Sequence, residues 1–67
     1  MKLTIYTKHG GTLRFENLKS SSILTLDNKY RNDYSDDSIV SIDNGNITTV
    51  ISFKEISYYE ITMDKQK

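Results

Sequence analysis

The sequence predicts a small all-β fold: an antiparallel meander of five or six strands. It is expected to form a partly open barrel or strongly bent sheet, with a short helical turn before the last strand. Three observations lead there. Apolar residues recur at every second position in several short runs, which places them on one face of a strand. Turn-forming residues separate these runs, above all Asn44-Gly45, among the strongest short-range hairpin signals. No segment of adequate length shows helical periodicity. A sheet of this size must curl or pack against a partner to hide its apolar face.

The first strand is read at residues 2–7, with Leu3, Ile5 and Thr7 on one face and Lys2, Thr4 and Tyr6 on the other. Lys8-His9-Gly10-Gly11-Thr12 is a turn. A two-residue loop would set Ile5 against Arg14 or Glu16. A three-residue loop at His9-Gly10-Gly11 sets Ile5 against Phe15 and Tyr6 against Arg14, matching both faces, with Gly11 as the left-handed residue. The second strand then covers about Thr12–Asn17.

A loop at 18–22 leads to a third run, Ile23-Leu24-Thr25-Leu26-Asp27, read as a strand of imperfect alternation. Residues 28–38 contain no aliphatic side chain and read as a solvated loop or a candidate recognition loop.

Residues 39–53 form the main hairpin. A type I′ turn at Asn44-Gly45 pairs Asp43 with Asn46, Ile42 with Ile47 and Val40 with Thr49. Val40, Ile42, Ile47, Thr49, Ile51 and Phe53 share one face; Ser41, Asp43, Asn46, Thr48 and Ser52 share the other. Ile39 and Val50 add apolar groups to the polar face, so the far end is expected to be covered on both sides. The run Asn46–Phe53 carries no charge and is an aggregation hazard at an edge. It is therefore expected at the sheet centre, with Lys54-Glu55 as gatekeepers. Those two residues make a short helical turn before the last strand at 56–63. Either Tyr59, Ile61 and Met63 or Ile56 and Tyr58 face inward there. Residues 63–67 are expected to form a frayed tail.

The 67 residues suit one domain, 1–67, whose stability alone is marginal. There is no Cys and one His, which argues against disulfides and structural zinc. Oligomerisation is the remaining common source of stability, so a homo-oligomer is expected. Formal net charge is zero, unlike a typical nucleic-acid binder, and gives no attraction to a membrane surface. No run is apolar enough for a signal peptide or membrane span, and a cytoplasmic location is expected.

No catalytic, cofactor or metal site is expected. His9 sits at a hairpin tip with no patterned partner, and Asp33, Asp36 and Asp37 lack the spacing and Gly of a calcium loop. The aromatics are more suggestive, with five Tyr and two Phe. Tyr6 is placed outward beside Arg14, Tyr30 and Tyr34 flank Arg31, and one of Tyr58 and Tyr59 must point away from the core. Tyr6, Arg14, Tyr30, Arg31, Tyr34 and Tyr58 are therefore the candidate partner-binding residues, since exposed Tyr and Arg are enriched in protein interfaces. They point to another protein as partner. Nucleic-acid or nucleotide binding through Tyr6, Lys8, Arg14 and Arg31 is the alternative, disfavoured by zero net charge. Tyr is also simply a good strand former.

The opening Met1-Lys2-Leu3-Thr4-Ile5-Tyr6-Thr7-Lys8-His9-Gly10-Gly11, the following Leu13-Arg14-Phe15-Glu16-Asn17 and the closing residues 51–61 carry a resemblance. In style the chain resembles small orphan β-proteins encoded by phages and mobile elements of Gram-positive bacteria. That resemblance implies a non-catalytic accessory binder of the anti-defence type, acting on a protein or a signal nucleotide. It transfers no site residues, because no motif matches position by position. The helical turn before the last strand resembles SH3-like barrels at the level of fold alone.

Overall fold

A computed structural model describes residues 1–63. Its elements are β1 (Lys2–Thr7), β2 (Thr12–Phe15), α1 (Ser20–Asn32), β3 (Ile39–Asn44), β4 (Ile47–Ser52), a 3-10 turn (Phe53–Glu55) and β5 (Ile56–Thr62). The strands form two antiparallel sheets, one ordered β2-β1-β5 and the other β3-β4. The protein is thus mostly β, as expected, but neither a closed nor an open barrel. The expected frayed tail at 63–67 lies, for 64–67, outside the described residues.

The first hairpin keeps the expected faces with a different register. Leu3 pairs with Phe15, Thr4 with Arg14 and Ile5 with Leu13, two residues from the expected pairing. The loop is still three residues long but is Lys8-His9-Gly10. Thr7 N–H donates to Gly11 O at 2.9 Å, and Gly11 N–H donates to Thr7 Oγ1 at 2.9 Å. Gly10, at φ 87°, supplies the left-handed residue in place of Gly11. β2 stops at Phe15, short of the expected Asn17, because Asn17 turns left-handed at φ 60°, a conformation Asn tolerates better than most residues.

The second hairpin repeats this lesson. Its closing pair is Asn44 with Ile47, followed by Asp43 with Thr48 and Ile42 with Thr49. Gly45 and Asn46 are the two loop residues. Gly45 has φ 73° and Asn46 is not left-handed, the φ pattern of a type II′ rather than a type I′ turn. The register moves by two, so the faces survive. Val40 and Ile42 are buried as expected.

Two expectations for this hairpin fail. Ile39 and Val50 are 51% and 57% exposed, so the far end is not covered on both sides. β4 is not central, since its sheet has only two strands. The reason is the segment read as a third strand.

That segment is helix α1, which also absorbs residues 28–32 of the expected loop. A strand through Ile23-Leu24-Thr25-Leu26 would put Leu24 and Leu26 together. The helix instead buries Ile23 and Leu26 and leaves Leu24 60% exposed. Tyr30 continues the buried stripe at a further step of four, the spacing of one helix face. Three contacts one turn apart reinforce it: Thr25 Oγ1 to Ser21 O, Asn32 Nδ2 to Asn28 Oδ1, and Arg31 to Asp27. Ser, Asn, Asp and Thr are poor helix formers, and tertiary packing overrides that preference.

In β5 only part of each expected inward set faces in: Ile56 from one and Tyr59 and Ile61 from the other, with Met63 64% exposed. Tyr6 pairs with Tyr58 but Thr7 pairs with Ile56, leaving Ser57 as an extra residue. This bulge re-phases the strand. Ile56 is buried, Tyr59 and Ile61 are half-buried, and Tyr58 is exposed.

The core draws Leu3 and Ile5 from β1, Phe15 from β2, Ile23 and Leu26 from α1, and Val40 and Ile42 from β3. Leu18, Phe53 and Ile56 complete it. Among the described residues no polar or charged side chain is buried. Phe53→Ala is expected to cost about 3–5 kcal/mol, a large part of the roughly 3–10 kcal/mol available to a chain of this size. Gly45→Ala should cost about 1–2 kcal/mol through its left-handed φ. Urea unfolding followed by circular dichroism checks both; an unchanged midpoint for Phe53→Ala would refute the core assignment.

Candidate functional site

The six candidate residues fall into two groups on opposite faces of the three-stranded sheet. Tyr6, Arg14 and Tyr58 lie on its outer face. Tyr6 and Tyr58 are directly opposite each other on β1 and β5, and their rings stack with centroids 4.4 Å apart at 17°. The Tyr6 hydroxyl donates to Glu60 Oε1 at 2.9 Å. That hydrogen bond is the main cause of the Tyr6 phenol's raised pKa; the nearby charge of Arg14 pulls the other way. Tyr58 is 54% exposed.

Tyr30, Arg31 and Tyr34 gather at the end of α1 and just beyond it, on the inner side. Tyr30 is half-buried and meets three rings edge-on: Phe53 at 5.3 Å, Tyr34 at 5.3 Å and Tyr59 at 5.2 Å. Tyr34 stacks on Phe53 at 5.8 Å. Tyr30 is thus a packing residue, and Tyr34, 45% exposed, forms the rim of the cluster. Arg31 is engaged as well. Its Nε lies 3.0 Å from Asp27 Oδ1, and the same oxygen accepts the Tyr59 hydroxyl at 2.6 Å.

This Asp27–Tyr59–Arg31 triangle links helix to sheet. The Tyr59 hydrogen bond, followed by Arg31, holds the Asp27 carboxyl below its ordinary range. Burial first, then Asp27, pushes the Tyr59 phenol up to about 12. Asp27 raises the Arg31 pKa in turn. Asp27 and Tyr59 are not among the expected site residues. The one signal for them is the Asp27-to-Arg31 spacing of four, which carries meaning only once the segment is known to be helical.

A further feature has no counterpart in the sequence-based expectations. A groove of about 440 Å³ runs between α1 and β3, with Leu26 and Phe53 among its apolar lining. Lys29 borders it and holds its Nζ 5.9 Å from the Phe53 ring centre. His9 sits at the hairpin tip, with Nε2 3.0 Å from Glu55 Oε1 and largely exposed. Among the described residues no three His, Asp or Glu side chains gather as a metal site would require, and no helix is long and apolar enough to cross a membrane.

Comparison of the chain with protein-family models, curated proteins and solved structures finds no match.

The triangle has a pH signature. Asp27 has a lowered folded pKa, so its contribution is present above about 4 and fades as pH falls below that value. Tyr59 has a raised pKa, so its contribution is present below about 10 and is lost as pH rises from there toward its folded value. Urea midpoints should fall at both extremes, and Asp27→Asn should weaken the acid-side fall. An ultraviolet titration of the five tyrosines should show a transition near 12 that Tyr59→Phe removes. Five transitions all near 10 would contradict the triangle.

Proposed function

We propose that this chain is a non-catalytic binding protein that acts on another protein, as an accessory inhibitor or adaptor. The contact surface is the outer face of the three-stranded sheet around Tyr6, Arg14 and Tyr58. The Tyr6–Tyr58 stack carries this reading. Tyr and Arg supply most interface hot spots. Two rings already ordered by each other, and by the Tyr6–Glu60 hydrogen bond, lose little rotamer freedom on binding. Self-association belongs to the same reading, since the exposed Val50 lies on β4, whose outer edge pairs with no strand among the described residues.

A second reading uses the same tyrosines. A stacked aromatic pair beside an arginine is also a platform for bases. Glu60 on that face and the zero net charge oppose phosphate. Fluorescence anisotropy with a labelled single-stranded oligonucleotide at low salt separates the two readings. Binding at roughly 10 μM protein would favour the nucleic-acid reading.

The protein-binding reading is tested with the double variant Tyr58→Ala, Arg14→Ala. Both side chains are on the outer face, so the circular dichroism spectrum should be unchanged. Partner recovery from a host extract, quantified by mass spectrometry against wild type, should fall at least about tenfold. Full recovery by the folded variant would sink the assignment.

A further inference from the structure

Among the described residues, each strand of the β3–β4 hairpin has one edge without a strand partner. A two-residue loop closes on a hydrogen-bonded pair, here Asn44 with Ile47. Alternation then directs the backbone groups of Asn44, Ile42 and Val40 toward β4. The Phe53 N–H bond to Ser38 O, at 2.9 Å, continues the same phase. The backbone groups of Ile39, Ser41 and Asp43 therefore point the other way.

That outer edge borders the 440 Å³ groove. Five consecutive residues, Ile39 through Asp43, line it. A groove over one face of a strand would meet every second residue; one along the edge meets each in turn. Helix α1 makes the opposite wall with Ser22, Thr25 and Lys29. Its N-terminal end, at Lys19 and Ser22, shares a recess with Asp43 and Gly45, whereas Lys29 lies at Phe53, beside Ser38. Helix and strand thus run in opposite directions, and the two charged lining residues, Asp43 and Lys29, stand at opposite ends. Lys19 lies outside the groove, beyond Asp43.

We propose that this groove binds an extended peptide segment of another protein as a third strand, antiparallel to β3, with an acidic group against Lys29. The edge offers a ladder of backbone donors and acceptors that an added strand satisfies. Five residues of strand span about 17 Å. An antiparallel guest begins at Asp43 and ends at Lys29, so its basic residue comes first and its acidic side chain or free carboxylate last. Guest residues opposite Ile42 and Val40 turn toward the core and are apolar. The pattern is basic, apolar, any, apolar, any, acidic. Among the described residues Lys29 makes no ion pair, and its ammonium group lies 5.9 Å from the Phe53 ring centre. This inference specifies the partner class within the protein-binding reading, but on a surface separate from Tyr6 and Tyr58.

The probe is the peptide acetyl-Arg-Val-Thr-Val-Ser-Glu, titrated to about 2 mM into ¹⁵N-labelled protein, a range that detects weak binding. Amide shifts should concentrate at Ile39, Ser41 and Asp43. Lys29→Glu should weaken binding several-fold, and a peptide ending in Arg instead of Glu should recover it. Ser41→Pro should abolish binding while keeping the β3–β4 ladder, because Pro is tolerated where the N–H points away from the sheet. Tyr58→Ala should bind the peptide as wild type does, so failure of the tyrosine surface and failure of the groove are read separately. Absence of shifts, shifts confined to β4 or to the tyrosine face, or insensitivity to Lys29→Glu would overturn the proposal. So would a homodimer that Ser41→Pro dissolves, since the edge would then belong to a second copy.

Discussion

The fold depends on one buried ring. Phe53 has no exposed surface and sits in the 3-10 turn joining β4 to β5, where the chain passes from one sheet to the other. Its N–H closes the end of the hairpin on Ser38 O, and its ring meets Tyr30, Tyr34 and the Lys29 ammonium group from the helix side. Two small sheets that share no hydrogen-bonded strand cannot hold each other through backbone pairing. They are held by side chains, and Phe53 is where sheet, hairpin and helix converge. With no disulfide available, burial of such groups carries most of the stability.

The two surfaces proposed for binding follow from that arrangement. Because β1 is flanked by β2 and β5, its inner face is committed to the core and its outer face is free to carry Tyr6. α1 packs on the inner side of β3, no strand among the described residues adds to that edge, and a groove remains. The tyrosine surface is built on strands, and the groove on β3 and α1, to which the polar segment 28–38 contributes Lys29. Tyr30 is drawn inward by Phe53 and Tyr59. Arg31 stays exposed but is tied to Asp27, and Tyr34 is exposed as well.

What could be read in advance was whatever depends on local backbone geometry. Leu3, Ile5, Phe15, Val40 and Ile42 fall on their expected faces although both hairpin registers differ from expectation by two. A shift of two preserves every face; a shift of one would have inverted them. The outward placement of Tyr6 and the turn before β5 were legible for the same reason. The Tyr6–Tyr58 stack was not, since β1 and β5 are more than fifty residues apart in sequence and their adjacency is set by the sheet order.

The sequence alone determined that the chain is mostly antiparallel β-structure, the placement of its hairpin turns to within one residue, and which side chains alternate inward along β1, β2 and β3. Only the tertiary structure decided that residues 20–32 are helical, that the strands split into two sheets, and that Ile56 and Tyr59 both face the core. The reason is shared. Ile23-Leu24-Thr25-Leu26 is compatible with either secondary structure, and the outcome turns on whether Ile23 and Leu26 can be buried together. That depends on Val40, Phe53 and other core residues, most of them distant in sequence. The bulge at Ser57 likewise exists because Ile56 and Tyr59 each have a buried place to fill, and alternation along one strand cannot announce that.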